Sequence, residues 1–196
     1  SRALCYQLFE NNGIIKRNTV HEMIKNISKD ERSNLRKIGV KIGRYHIFLP
    51  KMLKPSAVEL RVKLWKLYFH EDKKYIIPKY GLNFLKNETK KNSNFLLICG
   101  FENFDKFYVR IDILERFFLK IIENTKDKAF KINSDMINLI GCSKENFFKL
   151  LELMEYKSKN KKEEFFIYKP KLEKNKKIEK IIKNNPFEKL SELRFR

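Results

Sequence analysis

Apolar residues recur every three to four positions along most of this chain, which is the spacing of amphipathic helices. The pattern predicts helices over residues 2–12, 19–26, 29–38, 56–69, 112–124, 134–140 and 143–154. Ser28 and Glu31 have the spacing of a capping box, and Gly13 and Gly39 can end the helices before them. Strands are predicted at 106–111 and 165–168, whereas the apolar run 95–99 fits a helix or a strand. We therefore expect a mainly α-helical chain with a few short strands.

The predicted helix 56–69, with Ser56 as its cap, carries many of the large apolar side chains in the first half of the chain. Its pattern predicts a buried side made of Val58, Leu60, Leu64, Trp65, Leu67 and Tyr68. The outward side would carry Arg61, Lys63 and Lys66. Because Trp65 has apolar neighbours, we interpret it as a core anchor rather than as a platform for a stacked base.

Residues 129–170 follow the order helix, tight turn, helix, polar loop and strand, which is typical of a winged helix. The outward residues of the second helix would be Lys144, Asn146 and Lys149, and the wing would carry Lys157, Lys159, Lys161 and Lys162. A small helical bundle with a solvated run of charges fits the same pattern. The expected organisation is a helical module at 1–128, a winged-helix-like module at 129–170 and a basic tail at 171–196, which is largely disordered apart from a short terminal element.

Charge is the strongest compositional feature of the chain. Its 196 residues carry a formal net charge of +20, which points to a polyanionic partner such as nucleic acid. The abundance of Lys, Asn, Ile and Phe is also the bias of an A+T-rich genome, so some lysines can reflect codon supply. Arginines carry more weight, namely Arg36, Arg44, Arg61, Arg110 and Arg116.

The sequence offers little for catalysis. It has no GxxxxGK[ST] phosphate loop, and its three histidines lack the spacing of metal ligands. Cys5, Cys99 and Cys142 are widely spaced, which favours a reduced, cytoplasmic protein without disulfides or zinc. Cys142 precedes a predicted helix N-terminus, a place that can lower a thiol pKa, although a packed small residue is the preferred interpretation. No apolar run is long enough for a membrane span. We expect no catalytic and no metal-binding residues here.

The segment 39–55, GVKIGRYHIFLPKMLKP, combines paired glycines and prolines with alternating basic and apolar side chains. Glycine and proline fix the backbone path, and basic residues among aromatic ones suit a phosphate backbone with unstacked bases. The alternative is a core strand with a charged edge. The nucleic-acid-binding residues predicted from the whole chain are Lys41, Arg44, His46, Lys51, Lys54, Arg110, Lys144, Asn146, Lys149 and Lys157.

This segment, with four others in the same order, resembles the C-terminal accessory region of alphaproteobacterial superfamily-two ATP-dependent helicases, relatives of the RNA helicase of the mitochondrial degradosome. The others are SRALCYQLFENNGII at 1–15, FYVRIDILERF at 107–117, LIGCSKENFFKLLELMEYK at 139–157 and NPFEKLSEL at 185–193. The resemblance implies a parent protein that unwinds RNA or DNA, with ATP and Mg²⁺ bound in a motor outside these residues. Because Ser1 begins inside a predicted helix without an initiator Met, we expect a fragment of that longer protein.

Two functions from different classes follow. The first is an accessory module that holds the sugar-phosphate backbone of RNA or DNA without sequence preference. The second is a scaffold that docks the motor or a nuclease through an apolar surface of Tyr45, Phe48 and Leu53. A ribosome-associated basic protein is a weaker third alternative. In each case we expect no membrane partner.

Overall fold

A computed structural model describes residues 1–70, 75–86, 93–126, 128–160 and 163–169. Its helices, in chain order, are α1 (Arg2–Glu10), α2 (His21–Lys25), α3 (Lys29–Lys37), α4 (Pro55–Phe69), α5 (Ser93–Ile98), α6 (Ile111–Asn124), α7 (Ser134–Ile140) and α8 (Lys144–Leu153). Its strands are β1 (Ile14–Lys16), β2 (Lys41–Ile42), β3 (His46–Phe48), β4 (Phe84–Lys86), β5 (Phe101–Phe104), β6 (Phe107–Arg110), β7 (Thr125–Lys126), β8 (Ala129–Lys131), β9 (Tyr156–Asn160) and β10 (Glu163–Tyr168). Short 3₁₀ helices lie at Arg17–Val20 and Pro50–Leu53.

The strands pair in three antiparallel sheets, and the fold is therefore mixed α+β. The strand orders are β1-β3-β2, β4-β6-β5 and β7-β8-β10-β9. The structure contains more sheet than the apolar pattern predicted. Most of the unpredicted strands are two to four residues long, as β2 and β5 are, and so few residues hardly show an alternating pattern.

The predicted N-terminal caps of α3 and α8 are confirmed. Ser28 and Glu31 form the capping box of α3, and Gly39 follows that helix with a φ of +92°. The Ser143 hydroxyl accepts a hydrogen bond from the backbone N–H of Asn146 at the start of α8.

The predicted polar loop after α8 is instead part of the β9–β10 hairpin. The predicted disorder at the C-terminus lies outside the described residues.

Helix α4 is rotated relative to the prediction, since Val58 and Trp65 are buried as predicted but the other four residues of the predicted buried side are exposed. It packs through Val58, Val62 and Trp65 against α5 and the second sheet, so the prediction that Trp65 anchors the core is confirmed. The residues predicted to be buried but found exposed are Leu60, Leu64, Leu67 and Tyr68. Arg61, predicted outward, is buried instead, and its Nη1 donates to the Met52 carbonyl at 3.0 Å. Burial lowers the pKa of Arg61 to about 10, so its guanidinium stays charged at neutral pH. The helix also begins at Pro55, one residue before the predicted cap, because a proline suits the first helical position.

The largest hydrophobic cluster crosses residue 128, where the sequence predicted a module boundary. Phe107 and Val109 of β6 belong to it, and so does the buried face of α6 through Phe117. The same cluster contains Phe147 of α8 and Phe166 of β10. Helix α6 therefore shares its core with the elements that follow it. A separate cluster, around Leu4, Leu8, Leu35 and Ile47, holds the N-terminal helices on the first sheet.

Within the described residues, no helix is both long enough and apolar enough to cross a bilayer.

Candidate nucleic-acid interface

A groove of about 960 Å³ runs between α3, the β2–β3 turn and α6, and we call it the arginine groove. Its cationic lining residues are Arg17, Arg32, Arg36, Lys41, Arg44 and Arg116. Its apolar lining includes Phe118 and Leu119 of α6 and Pro50 at the far side. A concave surface lined by one sign of charge focuses the field and concentrates ions of the opposite sign. The groove is therefore suited to a polyanion.

The two carboxylates in the lining are both engaged within the protein. The Asp112 carboxylate accepts two hydrogen bonds from Arg110, from Nε to Oδ1 at 2.7 Å and from Nη2 to Oδ2 at 2.8 Å. Glu115 is buried and faces backbone N–H groups rather than the groove cations. Arg110 neutralises Asp112, and the charge of Glu115 is buried, so the six cationic side chains still outnumber the acids of the lining.

Glu115 fixes the turn that carries Arg44. Its carboxylate accepts the backbone N–H groups of three successive residues, at 2.5 Å from Arg44 and at 2.8 Å from both Tyr45 and His46. Glu115 lies three residues after Asp112, which is the spacing of a cap pattern, but α6 has no side-chain cap hydrogen bond at its start. The carboxylate of one helix thus organises a turn about 70 residues earlier in the chain.

Gly43 makes this arrangement possible. A Cβ atom at Gly43 would lie 2.3 Å from the Glu115 carboxylate, well inside van der Waals contact. The Gly43 carbonyl accepts Arg17 Nη1 at 2.7 Å, and its N–H donates to the His46 carbonyl at 2.8 Å. The Arg44 side chain then projects into solvent beside α6, where its guanidinium carbon lies 5.7 Å from the centroid of the Phe118 ring.

His46 belongs to the core, and its predicted contact with nucleic acid is corrected. Its side chain is only 1% exposed, and Nε2 lies 2.7 Å from Glu102 Oε2. Lys16 Nζ donates to the other oxygen of Glu102 at 2.6 Å. Burial opposes the charge on His46, but the hydrogen bond to Glu102 and the nearby Glu115 carboxylate outweigh it and raise its pKa. Burial likewise opposes the charge on Glu102, but its hydrogen bonds to His46 and Lys16 prevail and lower its pKa. This network ties the first sheet to the second.

The structure brings only part of the predicted binding set together. Lys41 and Arg44 line the arginine groove. Arg110 is held in its bidentate pair with Asp112, just outside the lining. The remaining predicted residues that reach the surface but do not line the groove are Lys51, Lys54, Lys144, Asn146, Lys149 and Lys157.

Helix α8 presents a mixed surface rather than a basic one. Its exposed residues include Lys144 and Lys149, but also Glu145 and Glu152. Lys144 Nζ sits 5.8 Å from the centroid of the Phe148 ring. Because acids alternate with bases along this helix, it offers a polyanion less attraction than the groove does.

Four groove residues were missed by the site prediction, namely Arg17, Arg32, Arg36 and Arg116. Arg32 and Arg36 are four residues apart on α3, and this spacing could have shown that they share a face. Arg17 had no such signal, because the pairing of β1 with β3 brings it to the groove.

The apolar docking surface predicted from Tyr45, Phe48 and Leu53 does not form. Phe48 is buried with Ile14 and Ile111, and Leu53 packs against that same cluster. Tyr45 packs edge-to-face on Phe118, with the ring centroids 5.8 Å apart. These side chains hold the fold together instead of facing a partner.

Cys99 and Cys142 show no sign of an activated thiol. Burial raises the pKa of Cys99 to about 12 and that of Cys142 to about 11. The helix N-terminus after Cys142 therefore does not lower its thiol pKa. Among the described residues, no group of three or more His, Cys, Asp and Glu side chains is placed to hold a metal ion.

The chain has no significant match to a protein-family model, to a curated protein or to a solved structure. The resemblance to a helicase accessory region therefore stays a prediction from the sequence.

Proposed function

We propose that this chain binds single-stranded RNA or DNA through the arginine groove, as an accessory region of an ATP-dependent helicase. The observation that carries the proposal is the convergence of six cationic side chains on one concave surface, with both lining carboxylates engaged elsewhere. Contacts of this kind are made to phosphates, so the affinity would be electrostatic and largely independent of sequence.

The exposed edge of the arginine groove also carries an aromatic ring on which a nucleic-acid base can stack. Phe118 lies under Arg44, and the partly exposed aromatic ring beside a guanidinium is the combination on which unstacked bases rest in single-strand binders. A strand held by its phosphates in the groove could place a base against this pair. This feature favours single strands over duplexes.

The C-terminal half supports a winged-helix interpretation as part of the same proposal. The order is α6, the two-residue β7, β8, α7, α8 and the β9–β10 hairpin, and β8 pairs with β10 of that hairpin. This is the strand and helix order of a winged helix whose first helix is α6 rather than a helix after residue 129. In this proposal the module supports the groove through α6, since α8 carries acids as well as bases.

The test measures binding of a labelled single-stranded RNA and of a duplex by fluorescence anisotropy at two salt concentrations. We expect Arg36→Ala and Arg116→Ala each to weaken RNA binding about threefold to tenfold, equivalent to about 0.7–1.4 kcal/mol. Arg44→Glu should weaken it more, without melting the fold, because the Arg44 side chain is exposed. Each alanine variant should also reduce the log-log salt slope by about 0.7, since one fewer phosphate is neutralised.

Lys149→Ala is the matched control, because it removes one exposed positive charge from α8. It should leave affinity and salt slope nearly unchanged. If Lys149→Ala weakens binding while the groove variants do not, the interface lies on α8 and the arginine groove has no role. If none of the variants binds less tightly than the wild type, the positive lining only keeps the protein soluble. The helicase motor and a nuclease remain proposed partners that this experiment does not address.

A further inference from the structure

Because α4 is rotated about its axis relative to the prediction, an apolar stripe lies on the protein surface. Leu60, Leu64, Leu67 and Tyr68 lie at spacings of four, three and one residues, and all are exposed. This i, i+4, i+7, i+8 pattern is the kind that packs against another helix. Side chains of this size at such spacing normally lie inside a protein or at an interface.

The stripe borders a second groove, which we call the α1–α4 groove. It measures about 480 Å³ and lies between α1 and α4. Phe9 of α1 and Leu64 of α4 are exposed on opposite helices, and the buried Leu8 and Val40 are part of its lining. Nearly all of the lining is apolar, in contrast to the arginine groove. A phosphate backbone would find little to bind here.

One charge is nevertheless built into the lining. Arg61 is only 3% exposed, and its Nε has no hydrogen-bond partner within the described structure. Among the exposed chain neighbours of the lining residues, the bases, which include Lys37, Lys51 and Lys63, outnumber the acids Glu10 and Glu59. Glu59, on the same helix as Arg61, is already bound to the Tyr80 hydroxyl at 2.6 Å. A buried guanidinium whose Nε lacks a hydrogen-bond partner, with lysines nearby, favours an occupant that brings carboxylates.

Charge separates the possible occupants. A second copy of this chain would bring another +20 to the interface and would be repelled. The chain's own segment 170–196 has more than twice as many basic as acidic residues, so it is a poor match as well. A partner helix with acidic flanks has the complementary charge.

We propose that the α1–α4 groove docks an amphipathic helix of a partner protein. Its apolar side chains would lie in the groove and its acidic side chains toward Arg61 and Lys63. The two helices that form the groove supply its walls, and a third helix laid between them buries the exposed stripe. The α1–α4 groove adjoins the arginine groove at Val40, which lines both, and the other lining residues of the two grooves differ.

The experiment uses three labelled 18-residue peptides as probes for the full-length chain. The first carries Leu at helical spacing and Glu on its flanks, the second has the same composition in scrambled order, and the third has Gln in place of Glu. We expect the first peptide to bind at least tenfold more tightly than either of the others. Equal binding of the first and scrambled peptides would show only attraction to net charge, and equal binding of the Gln peptide would refute the acidic partner.

Two variants of the protein test whether the peptide binds in the α1–α4 groove. Leu64→Ser should weaken binding of the first peptide about tenfold, which corresponds to about 1.4 kcal/mol. Ile122→Ser is the matched control on α6, because both side chains are 53% exposed and neither is a core residue. Both variants should keep the wild-type affinity for RNA. If the two variants lose the same peptide affinity, the α1–α4 groove is not the binding site.

The remaining occupants are separate outcomes. Sedimentation velocity that shows a dimer abolished by Leu64→Ser would identify a second copy as the occupant and overturn the proposal. A synthetic peptide of residues 170–196 that binds more tightly than the acidic probe, and loses affinity with Leu64→Ser, would overturn it in favour of the chain's own tail. A monomer that binds only the acidic amphipathic probe supports the proposal.

Discussion

Gly43 and Glu115 form the contact on which the geometry of the arginine groove depends. The carboxylate fills the space that a Cβ at Gly43 would need, and it accepts three consecutive backbone N–H groups. Buried N–H groups that lose an acceptor cost about 1–3 kcal/mol each. The position of Arg44 at the groove therefore depends on the lack of a side chain at Gly43 and on the carboxylate of Glu115.

Gly43→Val should accordingly lower the free energy of unfolding by about 3 kcal/mol or more, because the carboxylate must move away from the turn. Urea denaturation followed by circular dichroism measures this loss. Gly39→Ala is the control for backbone strain alone, since Gly39 has a φ of +92° but open space around its Cβ position. We expect a loss of only about 1–2 kcal/mol there. Similar losses for both variants would mean that the Glu115 contact contributes little.

His46 and Glu102 make stability depend on pH in opposite directions. The folded-state pKa of His46 is raised, so its contribution is full below the ordinary histidine pKa of 6.5 and is lost as the pH rises through the raised value. The folded-state pKa of Glu102 is lowered, so its contribution is present above the ordinary value of 4.5 and is lost as the pH falls through the lowered value. The two contributions coexist between about pH 4.5 and 6.5.

Urea midpoints recorded from pH 4 to pH 9 should therefore decline on the alkaline side of this window. His46→Gln should remove most of that decline, because the group that loses its proton is gone. His21→Gln, which changes an exposed histidine, should leave the curve as it is in the wild type. An alkaline decline that persists in His46→Gln would assign the pH dependence to other groups.

Helix α3 shows what a local signal can achieve at the scale of one element. Its capping box was readable from Ser28 and Glu31, and the structure contains both reciprocal hydrogen bonds. The backbone hydrogen bond from Ser28 is the main cause that lowers the pKa of Glu31 to about 2. Because capping involves neighbours in the chain, it does not depend on which other elements α3 packs against. The helix in turn carries Arg32 and Arg36 to the groove.

Ser28→Ala should reduce the free energy of unfolding by about 1 kcal/mol, the usual loss for a helix N-cap. Ser33→Ala, an exposed position inside the same helix, should be neutral or slightly stabilising, since alanine has the higher helix propensity. Thermal melts of both variants provide the comparison. A Ser28→Ala variant as stable as Ser33→Ala would show that tertiary packing alone holds α3.

Helix α4 shows where the same kind of pattern fails. Its sequence has apolar residues on two sides, with Val58, Val62 and Trp65 on one and Leu60 and Leu64 on the other. Periodicity predicts the helix but cannot rank two apolar sides, because both have the same spacing. The choice depended on α5 and the second sheet, which accept Trp65 and bury Arg61 beside Met52. The exposed side that results is the proposed docking surface.

For the molecule as a whole, the largest cluster and the arginine groove both join distant parts of the chain. The groove draws residues from Arg17 to Leu119, and the largest cluster joins β6 and α6 to α7, α8 and β10. The predicted boundary at 128 falls inside that cluster. Composition indicated where the chain changes in character, but it carried no information on which helix covers which sheet.

The sequence by itself determined most of the helices, several of their caps and the excess of positive charge, since these depend on neighbouring residues or on simple counts. It also singled out Lys41 and Arg44 in a segment bounded by glycines and prolines. Only the tertiary structure decided that His46 is buried, that Arg61 is buried while Leu64 is exposed, and that six cations share one groove. The physical reason is that burial and charge clustering arise from contacts between residues far apart in the chain, and a local pattern does not encode those contacts.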